Sequence, residues 1–228
     1  MRPQKFGKAT QIDGRLRSIL EYPRKNERTI SIHVGDSLLE IGCAIGTQAR
    51  QIAARGYQVF GIDQEFSLVA KFNTLANQAH LPNAFAFVAD GHALPFPEHS
   101  FDSVVITEVL EHAHDPACML GEIFRVLRRG GTLCLAVPTE NTERLFTRLH
   151  PQWAKYSGHV QIFGTSQLLS LIQQAGFTVI ATRGESSEWT LFWLLFATLR
   201  TPFDFTGTPT AHLLLVRIFW KVWRTVNT

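Results

Sequence analysis

Three short stretches of the chain place acidic and small residues where a ligand can be held. The first, Leu38-Leu39-Glu40-Ile41-Gly42-Cys43-Ala44-Ile45-Gly46-Thr47, is an apolar run that meets a carboxylate and then a loop. Small residues at 42, 44 and 46 let the backbone turn sharply and let a ligand approach the main chain. The second, Gly61-Ile62-Asp63, and the third, Val88-Ala89-Asp90, also close apolar runs on a carboxylate. A single Asp in such a place is usually a helix cap or a turn residue. Glu40, Asp63 and Asp90 in succession suit one ligand, because carboxylates accept hydrogen bonds from hydroxyls and attract positive charge.

The pattern separates two nucleotide classes. A dinucleotide fingerprint, G-x-G-x-x-G, would place glycine at 47, where this chain has Thr47, and a pyrophosphate gains nothing from a ring of carboxylates. A cationic ligand without phosphate fits, and S-adenosylmethionine, a sulfonium nucleoside, is such a ligand. A nicotinamide-dependent oxidoreductase is disfavoured on the same grounds. A glycine loop alone is also compatible with a tight strand-to-helix turn that binds nothing.

A second set of residues can move protons. Histidine titrates near neutrality, and His112 and His159 are the candidates for a base that deprotonates an acceptor. His112 follows an apolar run on the ligand side, where it either assists catalysis or braces the turn before Asp115-Pro116. Cys43, Cys118 and Cys134 form no C-x-x-C pair, so structural thiols in a reducing cytoplasm are expected rather than a zinc site or disulfides.

These residues need a scaffold, and from Asp36 onward short apolar runs alternate with amphipathic stretches of helical period. Strands are expected near Ser37 to Ile41, Gln58 to Ile62, Ala84 to Val88, Ser103 to Thr107, Thr132 to Val137 and Thr178 to Thr182. Helices are expected near Gly46 to Arg55, Phe66 to Ala79, Ala117 to Leu127 and Ser166 to Ala175, with Gly56, Gly130-Gly131 and Gly176 as stop signals. The result is an α/β domain with a mainly parallel sheet and helices on both faces. A helical cap is expected over 1–35, the core over 36–184, and an apolar extension of the same domain over 185–228.

With 228 residues, 45% of them apolar, the chain can bury one sizeable core. The net charge of +3 is mild and scattered, so no nucleic acid partner is expected. No run reaches the ~18 apolar residues of a spanning helix. In the extension, 189–199 is apolar, and a helix over 213–224 would carry Arg217, Lys221 and Arg224 on one face. Such a segment either lies at the headgroup boundary of a membrane, peripheral on its inner face, or packs on the sheet or in a homodimer.

The run Asp90-Gly91-His92-Ala93-Leu94-Pro95-Phe96, then Ser100-Phe101-Asp102-Ser103-Val104-Val105 and Glu108-Val109-Leu110-Glu111-His112, resembles the class I S-adenosylmethionine-dependent methyltransferases of the ubiquinone and menaquinone biosynthesis type. Glu122 to Arg129 with Gly130-Gly131, and Gly158 to Phe163 with Leu168 to Phe177, resemble later parts of the same family, so the likeness covers roughly 36–182. It implies a Rossmann-like fold and methyl transfer to a small-molecule or lipid-linked acceptor, of quinone-precursor, isoprenoid or glycolipid type. It further implies that Glu40, Gly42, Ala44 and Gly46 shape the methionine pocket, Asp63 holds the ribose, Asp90 with Gly91 holds the adenine, and Thr107 and Glu108 lie beside the sulfonium. Ala44 departs from the family's usual glycine. The arrangement E-x-x-E-H also resembles the divalent-metal motif of some quinone and RNA-end O-methyltransferases. Many relatives carry those letters without a metal, so no metal is assigned, and Glu108, Glu111, His112 and His159 are the set that would hold Mg²⁺ or Mn²⁺. A rival of another class is a catalytically silent cofactor-binding scaffold or partner subunit at a membrane surface.

Overall fold

In the computed structural model, residues 35–149 and 153–182 are described. Five strands, β1 (Ser37–Ile41), β2 (Gln58–Asp63), β3 (Ala84–Val88), β4 (Phe101–Thr107) and β5 (Leu127–Ala136), form one sheet in the order β3-β2-β1-β4-β5. Every pairing is parallel. The chain steps outward from β1 through β2 to β3, then returns to the other side of β1 with β4. A crevice therefore opens at the carboxyl ends of the strands, where the winding reverses.

Burial explains why the central strands are almost uninterrupted apolar runs. Leu38, Leu39, Val104, Val105 and Ile106 have no exposed surface, as strands covered on both faces require. One face carries α1 (Thr47–Ala53) and α2 (Phe66–Gln78), through Ala49, Ile52, Val69, Phe72 and Ala76. The other carries α3 (Pro116–Val126) and α6 (Thr165–Gln174), through Leu120, Ile123, Leu168 and Ile172. Between β5 and α6 lie α4 (Glu140–Leu149) and α5 (Trp153–Ser157).

The architecture expected from the sequence is present, with three corrections. The helix expected to reach Leu127 stops at Val126, and Leu127 already opens β5, paired with Phe101. Ser103 then pairs with Thr132, so residues 128–131 bulge out of register. Gly130 (φ 79°) and Gly131 serve this bulge rather than stopping a helix. A Cβ on Gly131 would lie 2.9 Å from the Arg128 carbonyl oxygen.

The strand expected over Thr178 to Thr182 is not formed: 177–182 is irregular and pairs with no strand among the described residues. Its β-branched residues suit a strand, but a strand needs a ladder partner. The polar segment carrying α4 and α5 is helical where no helix was expected. The cap over 1–35 lies outside the described residues except for Gly35, as does the extension over 185–228, including its proposed amphipathic helix. No helix among the described residues is long and apolar enough to cross a membrane.

Candidate functional site

The loop after β1 is held open by its neighbours. Cys43 N–H donates to the Ile62 carbonyl oxygen (2.9 Å) and Gly46 N–H to that of Cys43 (2.8 Å). Asp63, at the tip of β2, accepts from Ala44 N–H through Oδ2 (2.9 Å) and from Glu65 N–H through Oδ1 (3.0 Å). Gly42, Ala44 and Gly46 all have positive φ, the region where glycine is least strained. A side chain on Gly42 would strike Val109, and one on Gly46 would strike the Phe72 ring. Ala44 bears its φ of 47° with its side chain outward, so the departure from glycine is accommodated.

Glu40 is buried, and its Oε2 accepts from Ala49 N–H (3.1 Å). Burial pushes its carboxyl up to about 8, against the opposing hydrogen bond from Ala49. A cation arriving beside it would stabilise the ionised form.

At the end of β3, Asp90 Oδ1 accepts from His92 N–H (2.9 Å) and faces His92 Nδ1 (2.8 Å). Those contacts hold the Asp90 carboxyl below the ordinary range. Gly91 lies against the end of β1: a Cβ there would be 2.9 Å from Met119 Cε and 3.4 Å from Ile41 Cγ2. Thr107 ends β4, and Glu108, at φ 55°, donates its N–H to the Ala136 carbonyl oxygen (2.9 Å). With Val109 packed on Gly42, the ends of β1, β2 and β4 converge on one edge. His92 stands two residues after the strand-end Asp90, in an Asx turn.

The two histidines singled out from the sequence meet, although they are 47 positions apart. A short 3₁₀ turn, Leu110–His112, follows β4, and the N–H groups of Val160 and Gln161 both donate to the Glu111 carbonyl oxygen (3.0 and 3.1 Å). Gln161 Nε2 donates to the Ala113 carbonyl oxygen (2.9 Å), and His112 Nδ1 faces that of Gly158 (3.1 Å). The loop is thereby fastened to the turn, and the rings of His112 and His159 cross at 4.9 Å. His112 does not cap the next helix; Asp115 does, through Oδ1 to Cys118 N–H (2.9 Å).

Behind His159 stands a residue the sequence reading missed. Glu143 of α4 is buried, and its Oε2 lies 3.0 Å from both His159 Nδ1 and Trp153 Nε1. Its signal was a glutamate three positions before the buried Phe146, on the face that packs inward. On the other side, Glu111 Oε1 is 3.9 Å from His159 Nε2. Glu111 is 2% exposed, and neither of its carboxyl oxygens has a hydrogen-bond partner among the described residues. Burial, above all, pushes its carboxyl up to about 7. For His159, burial pulls downward, but the Glu143 hydrogen bond and the charges of Glu143, Glu111 and Glu108 outweigh it and hold the imidazole above its ordinary value.

Ligand atoms of Glu111, His112 and His159 lie within 4.8 Å of one another; Glu108, the fourth member of the expected set, is not in this group. Burial raises the thiols of Cys43 and Cys134, which therefore stay protonated and unreactive at neutral pH.

Residues 39–135 match the family model described as "Methyltransferase domain". The chain is 30% identical over 175 residues to a cycloartenol-C-24-methyltransferase of Arabidopsis thaliana, covering 73% of this chain and 52% of that protein. It is 33% identical over 152 residues to a probable S-adenosylmethionine-dependent methyltransferase of Mycolicibacterium smegmatis, covering 66% and 55%. It thus spans about half the length of these relatives. The YcgJ protein of Bacillus subtilis shares the fold with a TM-score of 0.60 at 20% identity, over 71% of this chain and 67% of that one.

Proposed function

We propose that this chain, whose residues 39–135 match a methyltransferase-domain family model, is a class I S-adenosylmethionine-dependent methyltransferase that transfers the methyl group of that cofactor to a small-molecule or lipid-linked acceptor. The observation that carries the reading is the position of three carboxylates, Glu40, Asp63 and Asp90, at the ends of adjacent strands around a loop of small residues with positive φ. Asp63, already fixed by two backbone N–H groups, keeps lone pairs for the ribose hydroxyls. Asp90 and Gly91 take the adenine. Glu40, Gly42, Ala44 and Gly46 shape the methionine end, and Thr107 and Glu108 lie on the sulfonium side.

The sulfonium is a good leaving group, so the protein's contribution is to align the acceptor with the methyl carbon and exclude water. His112 and His159, on the turn and loop beyond β4, face the acceptor. A relative named for a sterol substrate supports an acceptor of isoprenoid type, and the scaffold alternative gains no specific observation.

Calorimetric titration with S-adenosylmethionine, S-adenosylhomocysteine and a nicotinamide dinucleotide tests the cofactor assignment. Saturable binding of the two sulfur ligands alone, weakened in Asp63→Ala, is expected. A folded protein that binds neither sulfur ligand would overturn the reading.

A further inference from the structure

We infer that Glu143 fixes the tautomer of His159, and that the acceptor is one that gives up a hydroxyl proton to His159 Nε2. This rests on the methyl-transfer reading above. An ionised carboxylate only accepts hydrogen bonds, so the 3.0 Å contact between Glu143 Oε2 and His159 Nδ1 places the hydrogen on Nδ1. In the neutral ring Nε2 is then a bare lone pair. Trp153 Nε1, which can only donate, holds the same Oε2 at 3.0 Å and keeps Glu143 in place.

The far side of the ring is built to receive a donor. The carboxyl of Glu111 stands 3.9 Å from Nε2, beyond a hydrogen bond. Both of its oxygens are buried without hydrogen-bond partners among the described residues, an arrangement that leaves polar groups waiting for a ligand. Among the described residues, the remaining titratable groups around the ring are His112, whose own Nδ1 is turned to the Gly158 carbonyl oxygen, and Glu108, whose charge acts from the end of β4. A hydroxyl donates into this gap; an alkene has no hydrogen to donate.

The step balances. The acceptor O–H bond breaks and its proton goes to Nε2 while an oxygen pair forms the bond to the methyl carbon. The carbon–sulfur bond breaks and its electrons return to sulfur as neutral S-adenosylhomocysteine. The imidazolium, flanked by Glu143 and Glu111, later releases the proton to solvent. Glu143 is a positioning residue; His159 is the group that touches the acceptor.

The test uses the full ¹⁵N-labelled chain with S-adenosylhomocysteine and long-range ¹H–¹⁵N correlation of the imidazoles, with His159→Gln to assign the signal. Wild type is expected to show Nδ1 protonated and Nε2 bare. Glu143→Gln, which retains an acceptor oxygen, should keep that tautomer, and Glu143→Leu should lose it, both binding the cofactor product as wild type does. An Nε2-protonated His159 in wild type, or an unchanged tautomer in Glu143→Leu, would overturn the inference.

Turnover of a panel of phenols, isoprenoid alcohols and isoprenoid alkenes decides the acceptor class. Hydroxyl acceptors should be methylated, with kcat falling on the order of tenfold to a hundredfold in Glu143→Gln and KM nearly unchanged. Methylation of the alkene carbon at wild-type kcat in Glu143→Gln would sink the idea. Failure of the wild type to bind the cofactor product would instead remove the methyl-transfer reading itself.

Discussion

Oδ2 of Asp63 accepts the N–H of Ala44 at 2.9 Å, joining two strand-end segments that are 19 positions apart. The same carboxylate takes Glu65 N–H on its other oxygen, so the group expected to hold the ribose also holds the loop. Asp63→Asn can keep only one of these bonds, because its amide nitrogen cannot accept. Calorimetry should show at least about a tenfold loss of S-adenosylmethionine affinity, close to 1.4 kcal/mol, with the fold intact by circular dichroism. Unchanged affinity would detach Asp63 from the cofactor.

Gly46 combines a left-handed backbone, φ 73°, with the Phe72 ring where a side chain would go. Gly46→Ala should therefore cost about 2–4 kcal/mol, from backbone strain and overpacking together. Urea denaturation of Gly46→Ala, Phe72→Leu and the double variant separates the two causes. The double variant should be less destabilised than the sum of the singles, since the shorter side chain makes room. Strict additivity would show that the clash is relieved elsewhere.

The glycine loop and the three strand-end carboxylates were legible because each depends on a few adjacent residues. His112 and His159 were legible as types and were grouped by the resemblance in one candidate ligand set, but the contacts that bring them together were not, since these are two backbone N–H groups of the 160–161 segment reaching the Glu111 carbonyl. Glu143 was hidden for a related reason. It lies in a polar helix with few apolar residues, and its importance arises only when Trp153 and His159 fold against it. The start of β5 was misplaced because helix α3 passes into the strand with no turn residue at Val126 or Leu127. Thr178-Val179-Ile180 reads as a strand by side-chain type, and only the lack of a ladder partner among the described residues shows otherwise.

The raised carboxyls make stability fall with pH. Glu40, pushed up to about 8 from 4.5, binds more protons folded than unfolded. Its contribution is complete below about 4.5 and is lost as pH rises through about 8. Glu111, at about 7, acts in the same direction over a lower window. Urea unfolding from pH 5 to 9 should show a decline on the order of a few kcal/mol, flattened at its upper end by Glu40→Gln. A cation binding beside Glu40 restores its charge, so S-adenosylmethionine should release a proton on binding below pH 8. Titrations in buffers of different ionisation enthalpy measure this, and Glu40→Gln should abolish it. Binding without proton exchange would place the cation elsewhere.

Metal removal tests what balances the charge between the two histidines. Glu111, His112 and His159 lie close enough to hold a cation, but the raised carboxyl of Glu111 and the raised imidazole of His159 favour protons in that space. His159 Nδ1 is already committed to Glu143, leaving each ring one nitrogen to offer. Once an acceptor is found, turnover should therefore persist after exhaustive treatment with EDTA, and Mn²⁺ should produce no saturable binding by electron paramagnetic resonance. Loss of activity restored by Mn²⁺ or Mg²⁺, together with Mn²⁺ binding abolished in His159→Ala, would reassign the three side chains to a cation. The acceptor's hydroxyl would then be activated by coordination rather than by His159.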